Sequence, residues 1–177
     1  MATELESFRA WFAYIADARQ GYLETFAKLP AAELSRDRSA SYPTLLDIFA
    51  HSQGALYFWF QNCSTVPFPP QDAESDGPAT VAVLRKDETY LQTQIRAFME
   101  RLTEGELSRT IPVKRKQPSP HDCNVPIREV LWHLVEEELQ HRGEINALLW
   151  QIDVEPPIAS WIDWGHDVGR IQDSSSK

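Results

Sequence analysis

Cysteine is scarce: Cys63 and Cys123 are the two in 177 residues. Two thiols this far apart make neither a disulfide framework nor a thiolate metal knuckle, so both read as free thiols. Basic residues are outnumbered, 17 Lys plus Arg against 26 Asp plus Glu, for a net charge of −9. Phosphate binding draws most of its affinity from clustered Lys and Arg, which argues against nucleic acid as a partner. No apolar run approaches the roughly 18–20 residues of a membrane helix. Met1 to Ala13 has neither a basic n-region nor an apolar h-region. The expectation is a soluble cytoplasmic protein with no membrane partner. With 42% apolar residues the chain can bury an ordinary core.

What is present is helical periodicity. Leu5, Phe8, Phe12, Ile15, Arg19, Tyr22, Phe26 and Leu29 alternate in steps of three and four, one face of a long amphipathic helix that Pro30 ends. After a polar loop, Pro43 suits a first turn, and Thr44 to Asn62 reads as a second helix. The proline-rich stretch Val66 to Pro78 reads as a crossover loop. Val81, Leu84, Glu88, Leu91, Ile95, Phe98 and Leu102 mark a third helix that Gly105 interrupts. Leu107 to Pro120 has no helical period; Thr110, Ile111 and Val113 could hold one short strand, and the segment reads as an irregular connection. Asp122 or Asn124 can cap a fourth helix running from about Val125 to Gln151, with Pro126 near its first turn. These elements predict an all-α fold, a four-helix bundle with a long crossover connection. Residues 1–170 are expected to form one domain, on which Trp161 and Trp164 pack, and 171–177 a disordered, serine-rich tail.

The fourth helix holds the chemistry. Its stripe, Ile127, Val130, Leu131, Leu134, Ile145, Leu148 and Leu149, is interrupted by Glu137 or Glu138 and by His141. A charge facing a bundle core costs several kcal/mol unless it is paired or bound to a metal. Glu137 and His141, four apart, share a face and can converge on one point. His133 shares that face, but eight residues is about 12 Å along the axis, too far for His133 and His141 to reach one ion. Glu138 competes as the carboxylate, but Arg142 four residues on offers it an ion pair, which favours Glu137. On the second helix His51 stands among apolar residues, with Asp47 one turn back. If these helices face each other, His51, Glu137 and His141 make a two-histidine, one-carboxylate set suited to zinc, nickel or iron. Asp47 would then accept the second ring N–H of His51, and His133 or Glu138 would be the candidate for a fourth, closing ligand. The plainer alternative makes Glu137–His141 and Glu138–Arg142 surface ion pairs and His51 a hydrogen-bonded core histidine.

The run Ile-Arg-Glu-Val-Leu-Trp-His-Leu-Val-Glu-Glu-Glu-Leu-Gln-His-Arg-Gly after Pro126 resembles the last bundle helix of the DinB-like family, whose signature there ends His-Arg-Gly. Leu-Leu-Asp-Ile-Phe-Ala-His51 resembles the family's other metal-bearing helix, and helix order agrees over about residues 3–152. The resemblance implies a divalent metal held by a helix-two histidine and two histidines four apart on helix four, and a homodimer. His51 and His141 match that pattern. Position 137 departs from it with glutamate in place of histidine, and Gln140 stands where a further, non-ligand histidine often sits. A carboxylate is a competent ligand that adds charge and hard oxygen. The family also includes metal-dependent transferases of low-molecular-weight thiols. The resemblance therefore implies either thiol transfer to a small electrophile, with metal-assisted hydrolysis as a variant, or a non-catalytic stress-associated binding or structural protein.

Lesser candidates are Cys123 beside His121 and Asp122, read as a capping loop rather than a nucleophilic site, and the patch Lys114, Arg115 and Lys116, read as a solvated loop. The six tryptophans read mostly as core or subunit interface.

Overall fold

The computed structural model describes residues 2–66, 68, 79–115, 121–157 and 160–172. Four long helices dominate it: α1 (Glu4–Phe26), α3 (Leu45–Cys63), α4 (Val81–Arg101) and α5 (Ile127–Trp150). A short helix, α2 (Ala31–Leu34), and a 3-10 turn at Glu104–Ser108 lie between them, and a second short helix, α6 (Trp161–Asp167), follows α5. In contact, the long helices form a ring: α3 packs on α5, α5 on α1, α1 on α4 and α4 on α3.

The start of α1 is fixed by a reciprocal cap in which Thr3 Oγ1 accepts from the Glu6 amide and Glu6 accepts from the Thr3 amide. Leu5, Phe8, Phe12, Ile15, Arg19, Tyr22 and Phe26 are all buried, as their spacing predicts. The helix ends at Phe26, one turn short of Leu29, because Pro30 cannot continue it. Thr44 caps α3 by accepting from the Asp47 amide.

The segment after α4 corrects the expectation of an irregular connection. Thr110–Arg115 (β1) pairs antiparallel with His121–Pro126 (β2), so α5 begins at Ile127, with Pro126 rather than Asp122 or Asn124 at its cap position. Ile111 lies opposite Val125 and Val113 opposite Cys123. That apolar face covers the end of the core. Cys123 thus belongs to a strand, with its Sγ 3.8 Å from the Val113 carbonyl oxygen, and Lys114 sits opposite Asp122. Trp161 stacks on Trp11 at 4.3 Å, and Trp164 Nε1 donates to Asp17 at 2.7 Å, tying α6 to α1. Most of the 66–78 crossover, Lys116, and residues 173–177 of the expected tail lie outside the described residues.

The apolar interior is divided in two. One cluster takes Leu5 to Ile15 of α1, Leu56 to Cys63 of α3, Leu91 to Met99 of α4 and Ile127 to Val135 of α5. The other takes Ala18 to Phe26, Leu45 to Phe49, Leu84 and Ile145 to Leu149 from the same helices. Read along the chain, α1 and α5 run from the first cluster to the second, and α3 and α4 run back. Two consecutive helices with the same direction, α3 and α4, need a connection that travels their full length.

At the junction lies a buried polar layer drawn from all four helices. Arg19 (α1), 2% exposed, makes a two-pronged ion pair with Glu88 (α4) at 2.8 Å per oxygen. It also donates at 2.7 Å to Glu138 (α5) and to Ser52 Oγ (α3). Gln53 and Gln92 donate to Glu88, and the guanidinium lies 4.2 Å from the Phe49 ring centroid. Glu138 therefore pairs with Arg19, not with Arg142 as the spacing suggested; Arg142 lies over the Tyr14 ring at 4.8 Å. One guanidinium faces two carboxyls. Burial works against ionisation of Glu88, but the Arg19 charge and its hydrogen bonds outweigh it and hold that carboxyl below its ordinary value. For Glu138 burial dominates, seconded by the Glu88 charge, and its pKa is raised.

Removing one partner of a buried ion pair strands the others. Arg19→Met is expected to cost about 3–5 kcal/mol, and Arg19→Met/Glu88→Leu/Glu138→Leu to recover most of that loss, as read by urea unfolding. A single-variant cost below about 1 kcal/mol, typical of exposed pairs, would contradict the assignment. The raised Glu138 pKa also has a sign. Above the unfolded value of 4.5 the unfolded chain ionises this group first, so its contribution to stability falls as pH rises towards its folded value. Glu138→Gln, which keeps the acceptor oxygen, should therefore unfold at a higher temperature than the parent at neutral pH, with the gap closing as pH falls to 4.5. A gap that widens on acidification would contradict it.

Candidate metal centre

The polar layer orients the helix faces beside it. Ser52 and Glu138, both bonded to Arg19, are the sequence neighbours of His51 and Glu137. With 3.6 residues per turn, turning Glu138 inwards places Glu137 and His141 together on one flank of α5, the flank that packs on α3.

His51, Glu137 and His141 converge there, each offering one ligand atom within 4.8 Å of the others. Glu137 Oε2 lies 3.5 Å from His141 Nε2 and 3.9 Å from His51 Nε2. The two imidazole rings meet edge to face, with centroids 5.0 Å apart. These separations are too long for good hydrogen bonds; they suit donors arranged around an ion with bonds of about 2.0–2.2 Å. Two imidazoles and a carboxylate are a donor set for zinc, nickel or iron, and the residues present fit such an ion.

His141 is the most enclosed of the three. Its side chain is 6% exposed, against 24% for Glu137 and 35% for His51, so the centre opens to solvent on the His51 side. Behind His141, Glu144 Oε2 faces Nδ1 at 3.5 Å. Glu144 is itself held by the Ser41 amide at 2.7 Å and the Ser41 hydroxyl at 2.6 Å. Burial would raise the Glu144 pKa, but Ser41 and His141 outweigh it and keep it below the ordinary value. An anionic carboxylate at Nδ1 favours the tautomer that leaves Nε2 as the free lone pair aimed at Glu137. Burial, then the neighbouring His141, lowers the His51 pKa against the pull of Glu137, which favours the neutral imidazole a metal needs.

The expected support from Asp47 is not what is found. Its carboxylate accepts from Thr44 Oγ1 at 2.7 Å as part of the α3 cap, while the hydroxyl of Tyr42 lies 3.0 Å from His51 Nε2 and its ring stacks on the imidazole at 4.1 Å. Neither candidate for a fourth ligand joins the set: Glu138 is turned inwards to Arg19, and His133 Nε2 lies on the other oxygen of Glu137, at 3.9 Å from Oε1. Tyr42, Ser41 and Glu144 were missed in the sequence. Glu144 stands three residues after His141, a spacing that could have flagged it; nothing in the sequence pairs the loop residues 41 and 42 with α5. Cys63 takes no part, since burial pushes its thiol up to about 12.

The model of the DinB family matches residues 1–166, and the chain belongs to the DinB family. Two solved structures share the fold. A DinB-like protein from Bacillus cereus has a TM-score of 0.68 and 17% identity, over 88% of this chain and 97% of that one. A DinB-like protein from Bacillus subtilis has a TM-score of 0.58 and 19% identity, over 84% and 96%. Among curated proteins none matches the sequence. Among the described residues no helix is long and apolar enough to cross a membrane.

If Glu144 sets the His141 tautomer, Glu144→Gln is expected to weaken divalent-metal binding about 10- to 100-fold, measured by competition with a chromophoric chelator. Unchanged affinity would show that Nδ1 is not oriented by this carboxylate.

Proposed function

We propose that this protein is a divalent-metal-dependent enzyme in which His51, Glu137 and His141 hold zinc, nickel or iron on the flank of a four-helix bundle. The observation that carries the reading is the convergence of three ligand atoms from two helices, with Glu144 behind His141 Nδ1. The proposed reaction is transfer of a low-molecular-weight thiol to a small electrophile, with metal-assisted hydrolysis as the variant. The thiol loses its proton, its sulfur forms the new bond to the electrophilic atom, and the leaving group takes the electron pair of the broken bond and then a proton. A bound divalent ion supplies Lewis acidity, lowering the pKa of a thiol or water. The chain's own residues supply the rest. Glu144, held by Ser41, faces His141 Nδ1, Tyr42 packs over His51, and the half-exposed His51 side leaves a way in for a small molecule. A cytoplasmic homodimer is the proposed setting, supported by the exposed Trp132 and Leu139 of α5, 43% and 41% accessible.

A non-catalytic binding or structural protein is the second reading. It is favoured by a groove of about 300 Å³ between α1 and α4, walled by Phe12, Ile95 and Met99, which includes none of the three ligands.

Elemental analysis of tag-free protein tests the metal. At least one equivalent per chain is expected after reconstitution and desalting, lost in His141→Ala, and only the metal-loaded parent should consume a thiol together with an electrophile. No retained zinc, nickel, manganese or iron(II) would overturn the enzyme reading and leave Glu137 and His141 as an ion pair.

A further inference from the structure

The chain has five histidines, and three of them face the one carboxylate of Glu137. His133, Glu137 and His141 follow each other at intervals of four, so imidazoles lie one turn before and one turn after the carboxylate on the same face of α5. The two oxygens of Glu137 divide between them. Oε2 faces His141 and His51, at 3.5 and 3.9 Å, whereas Oε1 faces His133 Nε2 at 3.9 Å. His133 in turn has Glu136 Oε2 3.6 Å from its Nδ1. One ligand atom each from His133, Glu136 and Glu137 fall within 4.8 Å of one another.

We propose that Glu137 is a bridging ligand between two divalent cations, one held with His51 and His141 through Oε2, the other with His133 Nε2 through Oε1, the exposed Glu136 carboxylate swinging from Nδ1, where it lies at 3.6 Å, to complete the second set. The proposal rests on the metal reading above and extends it to a second ion. An imidazole at position 137 would aim one nitrogen at the first site. A carboxylate presents two oxygens, and here they point to different sets of donors. The glutamate that departs from the histidine pattern is thus the residue type that makes a shared ligand possible.

The two positions differ in access. His133 and Glu136 side chains are 40% and 68% exposed, against 6% for His141, so the second ion is the exchangeable one. The edge of Trp59 meets the His133 ring at 5.5 Å and 80°, which restrains its orientation. The ligands are nitrogen and carboxylate oxygen, suited to zinc, manganese or iron(II) rather than to a soft, thiolate-seeking ion. Paired ions of this kind stabilise both the attacking and the leaving oxygen of a displacement, which favours the hydrolytic variant of the proposed reaction and a substrate with a hard oxygen at the reacting centre.

The test is metal stoichiometry in the full chain, apo protein reconstituted with manganese(II) or zinc and measured by plasma mass spectrometry. Two equivalents are expected in the parent, one in His133→Ala and one in Glu136→Gln. Both changes lie on the exposed face, and circular dichroism checks that α5 stays helical. Loss of both equivalents in Glu137→Ala, and a spin-coupled manganese pair by electron paramagnetic resonance in the parent, are expected if the carboxylate is shared. One equivalent in the parent, unaltered by His133→Ala and Glu136→Gln, would overturn the second site and leave the first standing. Two uncoupled manganese ions would overturn the bridge. No metal in the parent would instead overturn the metal reading itself.

Discussion

Arg19 is the residue on which the arrangement of helices depends. Its guanidinium touches α3, α4 and α5 at once, through Ser52, Glu88 and Glu138. A planar fork with five donors can satisfy three partners in fixed directions, which an ammonium on a flexible stem cannot do. Apolar packing by itself tolerates small rotations and slips of one helix past another; a buried hydrogen-bonded charge does not, because each lost partner leaves an unpaired group in a low-dielectric interior. The layer therefore fixes the axial position and rotation of α3 and α5 between two apolar clusters that flank it.

That constraint carries over to the candidate centre through adjacent residues. Ser52 follows His51 and Glu138 follows Glu137, so the side chains that face inwards and those that face the cleft are set together. The centre itself combines one enclosed ligand, His141, with two more accessible ones. Enclosure fixes geometry, and the anionic Glu144 carboxylate 3.5 Å from His141 Nδ1 favours the tautomer protonated there. The partly open His51 side gives a small molecule access. A rigid support behind a solvent-reachable face is the combination expected of a site that binds an ion and exchanges another ligand.

Much of this was legible in the sequence, for identifiable reasons. The three-and-four spacing of apolar residues in α1, α4 and α5 reflects the 3.6-residue turn and survives any detail of packing. His51, Glu137 and His141 stood out because polar groups at stripe positions need a partner. The same logic applied to Arg19 and Glu88, which also occupied stripe positions, but the partner of each lies on another helix, 69 residues away, and for Glu138 local spacing pointed to Arg142 instead of Arg19. The hairpin was obscured because its period-two pattern is only two apolar residues long in β1, with Pro112 between them. Tyr42 and Ser41 reach the centre from a loop, where no periodicity exists to place a side chain.

The central claim is that His51, Glu137 and His141 form a metal site, and anomalous X-ray scattering from crystals of zinc-reconstituted protein tests it most directly. The account predicts an anomalous peak bounded by His51 Nε2, Glu137 Oε2 and His141 Nε2, with the Tyr42 hydroxyl displaced from the nitrogen it now faces. Zinc-loaded crystals with no peak at that position, and with Tyr42 still on His51 Nε2, would contradict it.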